Sequence, residues 1–191
     1  MDIRQQTKVT DQNSNDFFCQ VYYHQTATKE QLVNLDDFNE SNIILVDCCG
    51  WYYKKLFPNK SIIAFETLKT VKQFKLDNTY FDRLIDNQTD SRIGWPSISP
   101  GNCAVIFDRS PLLNYLTLEQ ISNILAKITD SYLPNTVVLE QRLIFLDDFR
   151  SLDRFYNIAK IEIAGYVVTK FIYDTDVMHL SIRFKKKNKI A

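Results

Sequence analysis

The sequence predicts an α/β protein built on a mostly parallel sheet with one reversed strand. Three observations carry that prediction. Short apolar runs recur along the chain, five of them closed by an acidic residue; amphipathic stretches separate them; and two β-rich runs joined by a polar turn come last. Continuous apolar runs of about four to eight residues mark strands buried on both faces, as in a parallel sheet held between helix layers. Their alternation with helices implies crossover connections, and the closing hairpin supplies the reversed strand.

In chain order, residues 1–41 read as an N-terminal helical cover. Asp16–Thr26 is apolar and aromatic and fits a helix or a strand. Thr28–Phe38 places Leu32, Leu35 and Phe38 at helical spacing behind Thr28 as a cap. The strands follow. Ile43–Val46 ends in Asp47, Ser61–Phe65 in Glu66, Phe81–Ile85 in Asp86, Ala104–Phe107 in Asp108 and Thr136–Leu139 in Glu140. Parallel strands share one carboxyl edge, so these acids are expected to form a single rim. Thr117–Tyr132 reads as a helix, with Thr117 and Gln120 as a capping box and Leu118, Ile121, Leu125 and Ile128 as its apolar stripe. Asp147–Ile163 is a second such stretch, and Gly165 after it supplies a left-handed stop. Tyr166–Tyr173 and Val177–Phe184 form the hairpin across Asp174-Thr175-Asp176. No repeat or low-complexity linker interrupts the chain, so residues 1–191 read as a single domain with its core over 42–187.

Composition narrows the class. A chain of 191 residues that is 45% hydrophobic can bury a core without disulfide or metal staples. Its 23 basic and 23 acidic residues cancel, which removes any global attraction to nucleic acid or anionic membrane and leaves only local patches. Met1–Asn15 is polar, unlike a secretion signal, and no apolar run approaches the ~20 residues that cross a bilayer. A cytoplasmic protein without membrane partners is expected. Cys19, Cys48, Cys49 and Cys103 make no C-x-x-C pair, and His24 and His179 have no ligand spacing to them, so no metal site is expected. The basic stretch Arg183–Lys189 reads as a solvated terminus, with nucleic-acid contact as the second option.

The order of these segments resembles the class I S-adenosylmethionine-dependent methyltransferases. Asn42–Gly50 (NIILVDCCG) resembles that family's first strand and turn, Ile62–Glu66 (IIAFE) its second strand, and Leu84–Asn87 (LIDN) its third motif. Ala104–Tyr115 (AVIFDRSPLLNY) resembles its fourth strand and the segment over the methyl donor. Ala164–Val168 and His179–Phe184 resemble its sixth and seventh strands. The resemblance implies a three-layer, Rossmann-like sandwich on a seven-stranded sheet whose last strand is antiparallel. It implies S-adenosylmethionine as cofactor, held by Asp47, Gly50, Glu66, Asp86, Asn87 and Asp108. Of these, Glu66 addresses the ribose hydroxyls and Asp86 or Asn87 the adenine. The implied activity is methyl transfer to a small-molecule or macromolecular acceptor that the residues do not identify.

The first turn departs from the family pattern. It keeps Gly50 alone, followed by Trp51-Tyr52-Tyr53. Glycines in that turn let backbone approach the cofactor and adopt positive φ, whereas three aromatic rings could fill the same volume or offer a base-stacking surface. A second reading follows, of a catalytically inactive methyltransferase fold serving as a binding or assembly module. A third, another nucleotide-binding Rossmann-like enzyme, lacks both the dinucleotide fingerprint and the phosphate loop.

Overall fold

The computed structural model describes residues 32–47, 53–73, 75–88, 94–110, 112–113, 116–142, 156–174 and 179–188. Seven strands form one sheet: β1 (Asn42–Val46), β2 (Ser61–Glu66), β3 (Arg83–Asp86), β4 (Cys103–Asp108), β5 (Thr136–Arg142), β6 (Tyr166–Asp174) and β7 (His179–Lys186). Their spatial order is β3-β2-β1-β4-β5-β7-β6. The first five run parallel, and β7 lies antiparallel between β5 and β6. The predicted sheet, its reversed strand and its closing hairpin are all present. The chain reverses direction across the sheet at β1–β4, and ligands of open α/β sheets bind beyond the carboxyl ends of strands at such a switch point.

Period-two alternation divides the core between the two faces. Ile44, Val46, Ile63, Phe65, Val105, Phe107, Val137 and Leu139 point to one side, where Ile121, Leu125, Ile128 and Tyr132 of α3 (Leu118–Tyr132) cover them with Ile158 and Ile161. Ile43, Leu45, Ile62, Ala104, Ile106 and Val138 point to the other. There they meet Leu32, Val33, Leu35 and Phe38, together with Phe57 and with Tyr53 of α1 (Tyr53–Leu56). Ala64 packs on that second side too, against Leu76 and, in α2 (Leu68–Gln73), Val71. Helix, sheet and helix therefore make the three layers.

Helix α3 follows its predicted signals closely. Thr117 Oγ1 accepts the Gln120 backbone N–H at 3.2 Å, and the Thr117 N–H donates to Gln120 Oε1 at 2.8 Å. Leu118 is the exception in the predicted stripe, because it is exposed rather than buried. Gly165 takes φ +80, but in the turn before β6 rather than as the stop of a helix, because the helical residues end at Ile158.

Three expectations are corrected or fall outside the described residues. Within Thr28–Phe38 the described part holds only a 3-10 turn, Leu35–Asp37, whose start is capped by Asn34 accepting the Asp36 N–H at 3.2 Å. Leu32, Leu35 and Phe38 are buried as foreseen, but mostly from non-helical backbone. Of Asp147–Ile163, residues 147–155 lie outside the described residues; 156–158 are helical and the chain leaves the helix before Ile161. The basic stretch at 183–189 is not simply a tail, since Arg183–Lys186 belong to β7 and the Arg183 guanidinium lies 4.7 Å from the Phe38 ring centre.

Candidate active site at the carboxyl edge of the sheet

Strand register converts the five closing acids into one row. Glu66 pairs with Asp86, and Asp108 with Glu140. Carrying the β1 registers one residue past Val46 sets Asp47 beside both Glu66 and Asp108. The row thus crosses five neighbouring strands, in the order Asp86, Glu66, Asp47, Asp108, Glu140. By alternation, the strand positions of all five belong to the face of Ile43, Leu45 and Ile106, beneath α1 and the N-terminal segment.

Adjacent acids repel, and different contacts relieve that repulsion along the row. Glu66 is 1% exposed, and its Oε1 accepts the Thr67 N–H at 2.9 Å. Asp47 hydrogen-bonds to Glu66 through its side chain and also receives the Leu112 backbone N–H. Burial, then the charge of Glu66 and the hydrogen bond to it, hold the Asp47 carboxyl well above the usual carboxylate range. Asp86, at the outer end, accepts the Gln88 N–H at 3.1 Å, while the Asn87 N–H donates to the Glu66 carbonyl at 3.1 Å.

Asp108 is fully buried. Tyr53 donates its hydroxyl proton to Asp108 Oδ2 at 2.6 Å and accepts the Val33 N–H at 3.0 Å. Arg109, itself 5% exposed, holds its Nε 3.7 Å from Asp108 Oδ1. Glu140 Oε1 lies 2.7 Å from His179 Nε2. The turns at the β1 and β4 ends are strained: Asp47 has φ +52 and Arg109 φ +50, neither being glycine. Such conformations persist only where surrounding contacts hold them, and they gather at functional sites.

Asp47, Glu66, Asp86, Asn87 and Asp108 therefore assemble at one edge, as the sequence suggested. Gly50 lies outside the described residues, as do Trp51 and Tyr52. Tyr53 does not offer its ring for stacking. It sits in the core with Phe57, ring centres 6.0 Å apart, and brings only its hydroxyl to the rim. Sequence reasoning placed Glu140 on the rim but missed its partner, His179. His179 reads as a packed strand residue until β7 is known to lie against β5. Glu140 closes its run just as the other four acids do, and that signal pointed to it.

Comparison with known proteins bears on the fold. No protein-family model matches the chain, and no curated protein sequence does. Among solved structures, the chain is similar to a TehB-like SAM-dependent methyltransferase from Corynebacterium glutamicum, at 12% identity and TM-score 0.50, over 80% of this chain and 84% of that one. It is similar to the N-methyltransferase NodS from Bradyrhizobium japonicum, in complex with S-adenosyl-L-homocysteine, at 11% identity and TM-score 0.51, over 97% of each chain. A third likeness is to OxaC, at 14% identity and TM-score 0.50, covering 79% of this chain but 44% of that one. With the strand order and the reversed β7, these likenesses establish the class I methyltransferase fold.

Proposed function

We propose that the protein is an S-adenosylmethionine-dependent methyltransferase that holds its donor along Asp47, Gly50, Glu66, Asp86 and Asn87, with Asp108 beside the point of transfer. The observation that carries this reading is the carboxylate row, set on one face at the switch point of a methyltransferase-type sheet. The donor set suits the ligand. Two carboxylate oxygens of Glu66, at the end of a buried strand, match a pair of ribose hydroxyls, since ionised carboxylates only accept. The next strand ends in Asp86 and Asn87, which can address an adenine edge. An acidic rim also favours a ligand carrying a sulfonium and an ammonium group.

Once bound, S-adenosylmethionine supplies an electrophilic methyl carbon. The contribution of the chain is placement: the rim holds the reacting carbon within about 3–3.5 Å of an incoming nucleophile, and the entropy of bringing the two together is spent on binding. The strained turns at Asp47 and Arg109 fit this role, because they fix carboxylates at angles that regular strands do not offer.

Isothermal titration calorimetry with S-adenosylmethionine and S-adenosylhomocysteine tests the reading, with micromolar dissociation constants expected for both. Absence of heat with either ligand overturns the enzyme and leaves the inactive binding or assembly module in its place. The acceptor, whether small molecule, protein or nucleic acid, follows from no feature of the donor half of the rim.

A further inference from the structure

Strand β6 ends the sheet, and among the described residues no strand pairs with its outer edge. Half of the exposed large hydrophobics of the described residues lie on it: Val167, Val168, Phe171 and Tyr173. Open apolar edges template pairing with another chain, and native proteins restrict that pairing with bulges and charges. Both devices are present here. The register with β7 shifts between Val168 and Lys170, and Lys170 is exposed just beyond the shift. The regular part that remains is Lys170–Asp174.

Hydrogen bonding within the hairpin fixes which groups face outward. The Lys186 N–H donates to the Asn135 carbonyl on the β5 side at 3.0 Å, and the Lys187 N–H to the Gly165 carbonyl on the β6 side at 2.8 Å. Alternation along β7 then turns the backbone of Arg183, Ser181 and His179 toward β6. Their partners Lys170, Ile172 and Asp174 bond inward, so the N–H and C=O groups of Phe171 and Tyr173 face the open edge. Side chains follow the same alternation. Phe171 and Tyr173 share one face, their ring centres 6.5 Å apart, and Lys170, Ile172 and Asp174 share the other.

We propose that β6 pairs antiparallel with β6 of a second copy of this chain, across a two-fold axis through Ile172. The pairing is independent of the methyltransferase reading. In this register Phe171 stands opposite Tyr173 of the partner subunit, and each such pair exchanges both backbone hydrogen bonds. The stacked rings of the two copies then meet as cross-strand aromatic pairs. On the other face Ile172 meets its symmetry mate, and Lys170 stands opposite Asp174 of the partner subunit. Charge selects this register and a second copy as the occupant. Within its own hairpin Lys170 lies opposite Arg183, a like charge, so an acid on its open side is favourable. Asp174, opposite His179, has contacts in its own chain as well, and the pairing needs only its sign. Moving the axis to Phe171 sets Lys170 against Ile172 of the partner subunit, with no acid to meet it. A self-complementary strip is what a closed two-fold dimer requires.

Sedimentation velocity of the full chain tests this. A strip this short gives a weak dimer, with an expected dissociation constant of about 10–100 μM. Lys170→Asp and Asp174→Lys each set like charges against each other at both symmetric contacts, and each should weaken the dimer about tenfold or more. An equimolar mixture of the two variants restores opposite charges at both contacts, and should associate about as tightly as the wild type. A merely structural effect of either substitution is not relieved by mixing. Ile172→Cys reads the register, because opposite residues that exchange no hydrogen bonds have Cα atoms about 4.5 Å apart, within disulfide reach. Mild oxidation should cross-link this variant into a covalent dimer well beyond the level in the wild type or in Lys170→Cys. A wild type that stays monomeric at about 500 μM, a mixture no more associated than its components, or equal cross-linking at the two positions overturns the dimer.

Discussion

Tyr53 shows how a single phenol can tie the rim to the layer that covers it. Its ring is packed in the core, while its hydroxyl serves Asp108 and the backbone of Val33 at once. Tyr53→Phe keeps the ring and deletes both hydrogen bonds, the one to the buried Asp108 carboxyl and the one from the buried Val33 N–H. We expect a loss of about 2–3 kcal/mol of stability, read as a lowered urea midpoint with an unchanged slope. Asp47 makes a prediction of the opposite sign. Its carboxyl titrates well above its unfolded value because of burial and the neighbouring Glu66. Its stabilising contribution is therefore complete below the unfolded value of about 3.9 and is lost as pH rises through the folded one. Asp47→Asn removes this penalty. The variant should be more stable than the wild type near neutrality, and urea midpoints measured from pH 4 to 8 should show the gap closing toward acid. A wild-type advantage at pH 8 would contradict the raised Asp47 carboxyl. Cys103 is pushed up to about 12 by burial and then by Glu40, which keeps it a thiol in the folded protein. Alkylation at pH 8 followed by peptide mass analysis should label it only after denaturation.

Helix α3 exposes its two ends to separate tests. At the start, the Thr117–Gln120 box satisfies two backbone donors reciprocally, and Thr117→Ala should cost about 1 kcal/mol. At the end, Leu133 holds φ +45, a left-handed conformation that glycine adopts without penalty, and its side chain is 42% exposed. Leu133→Gly loses little packing and should gain up to about 1 kcal/mol. Opposite shifts of the urea midpoint in the two variants would establish the capping account at both ends of one element. The start was legible in the sequence because a capping box is a local pattern. The end was not, since leucine is an unusual choice for that backbone. The same contrast explains the N-terminal segment. Leu32, Leu35 and Phe38 have helical spacing and are buried, yet Asn34 caps a 3-10 turn between them, and burial alone does not require a helix.

Across the whole sheet, the sequence was most readable where each strand carries its own signal. Apolar runs that end in acids specified five strands and, through parallel pairing, one edge for Asp47, Glu66, Asp86 and Asp108. The unread part depends on contacts between distant residues: Tyr53 with Asp108, and Glu140 with His179 across 39 positions. Such pairs carry no local pattern, because they exist only once strand order is set. The same long-range construction makes the rim a reporter on the folded state, as its carboxylates come together only when β1 to β5 are paired. A ligand held by that row binds the native chain and not the unfolded one. At about 100 times its dissociation constant, S-adenosylhomocysteine should add about 2.7 kcal/mol. For a chain of this size that is ~5–10 °C in the thermal midpoint. Glu66→Gln replaces a double acceptor by an amide with one acceptor oxygen at the ribose position, and should reduce the ligand-induced rise by at least half. Comparing the rise within each variant, rather than the midpoints themselves, cancels any effect of the substitution on the unliganded fold. A full rise retained in Glu66→Gln would mean that the ligand is held away from the end of β2, and that the row serves the sheet rather than the cofactor.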